Sequence, residues 1–167
     1  KMNIIINAIM SGLSSIGYGL MYRVPKKSVL GNFCAGTIGT LTYGILWNNF
    51  GMTFGAYLIA SLTIGVMAEV FARLNKLPAT VFLAPGLIPL VPGIAIFNMM
   101  NDFANKSYAE ALSNLSNAAS YAMGIALGIV VSSLYSRSLK NYRNYFKLVK
   151  IKRISKKKKE IDDRDVL

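Results

Sequence analysis

The chain has 167 residues, of which 53% are hydrophobic, with a mean hydropathy of +0.42, a net charge of +12 and no histidine. Before Arg137 the only acids are Glu69, Asp102 and Glu110, and the only bases are Lys1, Arg23, Lys26, Lys27, Arg73, Lys76 and Lys106; the remaining charge lies in residues 137–167. A soluble domain spreads its charge along the chain, so this pattern excludes one and predicts a membrane body with a solvated basic tail.

A membrane span needs about 20 mostly apolar residues, and five runs meet or approach that length. The first, Ile4 to Tyr22, has no small-residue cleavage pattern leading into a soluble domain and reads as a true span rather than a signal peptide. A basic loop, RVPKK, follows it with Arg23, Lys26 and Lys27. The second run, Val29 to Trp47, holds the only cysteine, Cys34, so no intrachain disulfide can form and a small buried side chain is the plain reading. Gly31, Ala35 and Gly39 fall four apart here, with Gly36, Thr40 and Gly44 on an adjoining stripe. Such stripes allow close backbone approach, which is how spans pack when lipid removes the hydrophobic drive.

The third run, Gly51 to Phe71, repeats the small-residue spacing at Gly51/Gly55 and Ala56/Ala60. It also carries Glu69, the only acid inside a predicted span, with Arg73 four residues on. An intramembrane carboxylate often carries a proton in driven transport. A salt bridge at the helix end explains the same pair without function. Glu69 and Arg73 are therefore candidate coupling residues with a structural alternative.

The fourth run, Ala79 to Met100, contains FLAPGLIPLVPGIAIF, which has no charge, hydroxyl or amide side chain but three prolines. Pro85, Pro89 and Pro92 each lack an N–H donor and each clashes with a carbonyl one turn back. Backbone broken in this way persists in a membrane only inside protein or beside a wet cavity. The pairs Pro85-Gly86 and Pro92-Gly93 are seven residues apart, about two turns, so both breaks can face one side. One reading is a kinked helix packed among its neighbours. The other is a discontinuous helix whose free N–H and C=O groups bind a small polar solute, with Pro85, Gly86, Pro89, Pro92 and Gly93 forming the site. Asn32, Thr40 and Asn98 are candidate path-lining residues, as are Asn7, Thr37 and Thr42. Each is equally an interhelical hydrogen-bonding group.

Asn101 to Asn114 has apolar residues at roughly helical spacing and reads either as an amphipathic helix on the outer interface or as a plain linker. The fifth run, Leu115 to Tyr135, carries Gly124 and Gly128. Basic loops follow runs one, three and five, so the positive-inside rule puts the N-terminus outside and the C-terminus in the cytosol. It also favours a full crossing for the fourth run. The expected division is a membrane domain over 1–136 and a basic tail over 137–167. Within the tail, Leu139 to Ile154 is expected as an amphipathic helix on anionic lipid, followed by a disordered end. Lipid contact explains these bases better than nucleic acid, which is not expected as a partner. With no histidine and one buried cysteine there is no basis for a His-based metal site, a Cys-His pair or a Ser-His-Asp triad. No nucleotide loop is present either, so neither an enzyme nor a cofactor is expected. The fold class is an all-α polytopic bundle of about five transmembrane helices, the fourth broken by Pro-Gly pairs.

The run AEVFARLNKLPATVFLAPGLIPLVPG, residues 68–93, resembles the threonine/serine exporter family, and more closely its short subunits that correspond to the C-terminal five-span half. The matching elements are Ala72-Arg73, Lys76, Pro78-Ala79, Val81-Phe82, Pro85-Gly86 and Pro89-Leu90-Val91-Pro92-Gly93, with Val24 to Lys27 before a glycine-rich second span. The resemblance implies export of small amino acids such as threonine and serine, or of dicarboxylates in short-subunit relatives. It implies a larger five-span partner subunit with a cytosolic N-terminal domain, and residence in the bacterial cytoplasmic (inner) membrane. Nothing carries over to the tail. Two functions are weighed: half of a ten-span, proton-driven secondary carrier, or a non-transporting scaffold subunit in which the Pro-Gly pairs are packing kinks.

Overall fold

The computed structural model describes residues 4–51 and 53–165, with side chains over 4–49 and 53–136. Among the described residues the chain is almost entirely helical and has no strand. Helix α1 spans Ile4–Met21, α2 Val29–Phe50, α3 Thr53–Asn75, α4 Thr80–Leu87, α5 Gly93–Ala104 and α6 Tyr108–Asp165. Short 3₁₀ turns at Lys26–Ser28 and Ile88–Leu90 precede α2 and follow α4. Two units separate along the chain, Lys1–Ser133 and Leu134–Leu167. The expected division of the tail into an amphipathic stretch and a disordered end falls on residues 137–167, whose side chains lie outside the described residues.

Four helices among the described residues are long and apolar enough to cross a membrane: α1, α2, α3 and the Tyr108–Ser136 part of α6. The segments Thr80–Leu90 and Gly93–Ala104 form a pair bent by 48°. Neighbour contacts decide whether that pair crosses or returns. Gly12 faces Thr37, Gly19 faces Asn32 and Gly44 faces Ile4, so α1 and α2 are antiparallel. Gly31 meets Phe71 and Gly39 meets Ile64, so α2 and α3 are antiparallel too. Between α3 and α6, Gly124 meets Phe54, Gly128 meets Ser61 and Gly65 meets Ser132, which makes these two parallel. The chain must therefore pass from the C-terminal end of α3 to the opposite end of the bundle before α6 begins. The broken pair makes that passage and is a fifth span. Bases Arg23, Lys26, Lys27, Arg73 and Lys76 consequently share one end of the bundle, the end opposite α1's N-terminus.

The turns explain themselves chemically. Arg23, Lys76 and Lys106 each adopt positive φ, at 53°, 55° and 62°, and Gly51 does so at 60°. Each cation sits just past a helix end in a Schellman cap: Val24 N–H donates to Gly19, Leu77 to Ala72 and Ser107 to Asp102. A left-handed non-glycine residue costs about 1–2 kcal/mol. A cation at a helix C-terminus returns about 0.3–1 kcal/mol of it. The linker between α5 and α6 is only Asn105 to Ser107. Asn101–Asn114 is thus neither a separate interfacial helix nor a long linker, because α5 and α6 both extend into it.

The core is built from small residues and two plugs. Ala35, Ala60, Ile64 and Leu90 form one buried cluster, and Ala68, Ala72 and Phe82 another. Ile64 sits against Gly39 and Gly86, and Phe82 against Gly31. Large apolar residues such as Ile5, Met10, Leu13, Leu30, Ile94 and Phe97 point outward. An outward apolar surface of this extent belongs against lipid. The chain is a membrane-embedded helical bundle.

Candidate functional site

The break follows from proline chemistry. Pro85 lies inside α4, and α4 passes at Ile88 into the 3₁₀ turn that holds Pro89. Val91, forced out of the helical region by the proline after it, is extended at φ −58°, ψ 129°. Pro92 at φ −76°, ψ 55° then makes a tight turn in which Gly93 N–H donates to Val91 at 2.7 Å. Helix α5 starts there, and its first N–H groups have no carbonyl within the helix to donate to.

A cavity of about 910 Å³ lies at this break, a size at the upper end of ordinary small-molecule sites. One wall is the break itself, with Pro89, Pro92, Gly93 and the first turn of α5. Helix α1 contributes Asn7, Ser11 and Ser14, and α2 contributes Thr40, Gly44 and Asn48. Asn98 comes from α5, and Asn114 and Asn117 from α6. Among the described residues, five asparagines line the cavity and no charged side chain does. Amides offer donors and acceptors together, so the lining can bind either polar end of a small solute without a fixed charge preference.

An aromatic ladder forms the facing wall. Tyr43 stacks on Trp47 at 6.1 Å between centroids, and Tyr57 lies 4.7 Å from both Tyr43 and Tyr121. Ring pairs of this kind add about 0.5–1.5 kcal/mol each beyond their burial, which ties α2, α3 and α6 into one rigid wall. Asn114, part of the cavity lining, donates through Nδ2 to Asp102 Oδ2, outside that lining, at 2.7 Å and joins α5 to α6.

The residues proposed from sequence divide into four sets. Pro89, Pro92, Gly93, Thr40 and Asn98 meet at the cavity. Pro85 and Gly86 are buried in packing: a side chain begun at Gly86 would lie 3.0 Å from Ile64 and 3.1 Å from Ala35. Glu69 and Arg73 pair with each other at 3.8 Å, both partly exposed, near the basic end of α3 and outside the cavity lining. Asn32 is fully buried between α2 and α1 and also lies outside that lining. Sequence reasoning did not single out Asn48, Asn114, Asn117 or the aromatic ladder. A signal was present for α6: Asn114, Asn117 and Tyr121 fall at helical spacing on one face.

A polytopic helical membrane protein with an uncharged cavity of mixed polarity at a discontinuous span belongs to an architecture used for handling small solutes. Residues 7–135 match the family described as Threonine/Serine exporter, ThrE, and the chain belongs to that family. It is 25% identical over 132 residues to a protein named probable threonine/serine exporter from Mycobacterium tuberculosis. That alignment covers 78% of this chain and 25% of the relative, so the chain spans about a quarter of the length of the curated relative it matches. No solved structure matches the chain.

Proposed function

We propose that this chain is one part of a secondary active exporter for small amino acids of the threonine/serine class or small organic acids, and that solute passes through the cavity at the broken span. The observation that supports this most directly is the uncharged, amide-lined cavity at the start of α5. A solute carrying both a carboxylate and an ammonium finds a helix N-terminus on one wall and amide oxygens and tyrosines on the others. Five spans alone offer a thin wall around a gated path. The working unit is therefore a hetero-complex with a larger five-span subunit carrying a cytosolic N-terminal domain, driven by the proton gradient. The cytoplasmic membrane is its site, with the basic end facing the cytosol by the positive-inside rule.

The test is efflux from the native host with the chain deleted or restored, after loading with labelled threonine, serine or succinate, with and without a protonophore. Slower efflux of one solute in the deletion, restored by the chain and sensitive to the protonophore, is expected. Unchanged efflux of all three would move the non-transporting scaffold role to the front.

A further inference from the structure

Two side chains among the described residues have buried polar atoms that meet no hydrogen-bond partner: fully buried Asn32, through both Oδ1 and Nδ2, and half-buried Thr37, through Oγ1. Both are on α2 and both face α1. Asn32 Nδ2 lies over Gly19, and Thr37 Oγ1 over Gly12. Asn32 is 0% exposed. Leaving an amide buried and unpaired costs free energy, more so in a low-dielectric interior, and each such group calls for an explanation.

The seam between α1 and α2 has a second property. Three other hydroxyls near it bond to carbonyls in their own chain segment: Ser15 to Ser11 at 3.0 Å, Thr40 to Gly36 at 2.9 Å and Ser28 to Pro25 at 2.7 Å. None of these bonds crosses the seam. Interhelical hydrogen bonds are a main glue between spans, and here the contact rests on glycines packed against small polar groups, Gly36 on Ser15 and Gly12 on Thr37. The seam also has a direction. Thr40 lines the cavity, Thr37 is three residues further along α2, and Asn32 eight, about 12 Å, toward the basic end.

We infer that the α1–α2 seam is the second half of the solute path, closed here, and that it opens from the cavity to the basic end of the bundle. Asn32 and Thr37 are the groups that meet water or solute when it opens. This rests on the proposed transport role. In the closed state the two unpaired side chains raise the free energy of the seam, and among the described residues no side-chain hydrogen bond crosses it. Opening hydrates both groups while each helix keeps its internal hydrogen bonds.

The test uses the full chain with its native membrane partners, in inside-out vesicles. The background is Cys34→Ala, which removes the only native thiol, and Asn32→Cys and Thr37→Cys are made singly. The probe is a charged methanethiosulfonate reagent, which reacts only where water reaches. A control thiol, Ile45→Cys, stands on the outward apolar face of the same helix. Both seam thiols should react, at a rate that changes about ten-fold on adding excess threonine or collapsing the proton gradient, as when a state populated at about a tenth becomes the main one. Ile45→Cys should stay unreactive. Seam thiols that never react until the protein is denatured, in vesicles that still move labelled threonine, would overturn the inference, and so would reaction at a rate indifferent to both treatments. If Asn32→Cys fails to accumulate, Thr37→Cys decides alone. Gated labelling without threonine movement would instead reject the substrate and leave the seam standing.

Discussion

Consider Gly86→Leu beside Gly93→Leu. The two glycines occupy equivalent places in the two Pro-Gly pairs, yet their surroundings are opposite. A Cβ at Gly86 would stand 3.0 Å from Ile64 Cγ2 and 3.1 Å from Ala35 Cβ, inside the Ala35, Ala60, Ile64 and Leu90 cluster. Ile64 is already packed against Gly39, and Ala35 is itself fully buried, so neither has open space to move into. Overpacking of this kind costs about 1–3 kcal/mol, which shifts a folding equilibrium roughly 5- to 150-fold. Leucine adds three carbons beyond the Cβ already in contact, so the upper end of that range applies. A Cβ at Gly93 meets nothing within 4 Å, and leucine there enters the cavity without a steric cost to the fold. Heating detergent-solubilised protein and following the remaining monodisperse peak by size-exclusion chromatography separates the two. Gly86→Leu should lose its peak at a clearly lower temperature, and Gly93→Leu should track wild type. A Gly86→Leu protein as heat-resistant as wild type would refute the packing argument, and so would equal loss in both.

Other substitutions probe separate parts of the account. Gly128→Ala places a Cβ against Ser61, 2.5 Å from the Leu58 carbonyl oxygen and 2.9 Å from Leu62 N; backbone cannot yield, so it should destabilise by about 1–3 kcal/mol. Gly17→Ala meets nothing within 4 Å and should be neutral or stabilising by up to about 1 kcal/mol; the same heating assay checks both, and a reversed order would contradict the α3–α6 register. Asn114→Ala removes the 2.7 Å bond to Asp102, a charge-assisted contact worth about 1 kcal/mol when partly exposed; trypsin should then cut faster at Lys106 in the α5–α6 turn, and an unchanged cutting rate would show that the bond does not hold that turn. Glu69→Gln breaks a partly exposed ion pair worth at most about 1 kcal/mol, so efflux should keep its protonophore sensitivity, whereas its loss would make Glu69 the coupling carboxylate.

The architecture was largely legible because two strong signals coincide in it. Apolar runs of membrane length locate the spans, and α1 begins and ends within a residue of its run, Ile4 to Tyr22 against Ile4–Met21. Charge alternation orders them, and the parallel packing of α3 and α6 requires the full crossing that this alternation favoured for the fourth run. The start of α6 was misread, because Phe103, Tyr108 and Leu112 have the same helical spacing whether a helix lies on a surface or continues into a span. Proline marked the break, but it could not separate the two Pro-Gly pairs. Gly86 is buried because α4 runs between α2 and α3, and Gly93 is open because the turn at Pro92 bends α5 away from them. The cavity residues of α6 escaped notice for a related reason. Asn114 and Asn117 sit in a stretch that reads as interface or loop, and only the tertiary arrangement brings them opposite Asn7 and Asn98.

The most direct test of the central claim is labelled-threonine efflux from a deletion strain carrying either wild type or Gly93→Leu, at matched amounts of membrane-inserted chain. The account predicts that wild type restores protonophore-sensitive efflux and that Gly93→Leu does not, because the leucine obstructs the cavity at the start of α5 while the bundle stays folded. Full restoration by Gly93→Leu would contradict it, since solute would then be passing somewhere other than the broken span.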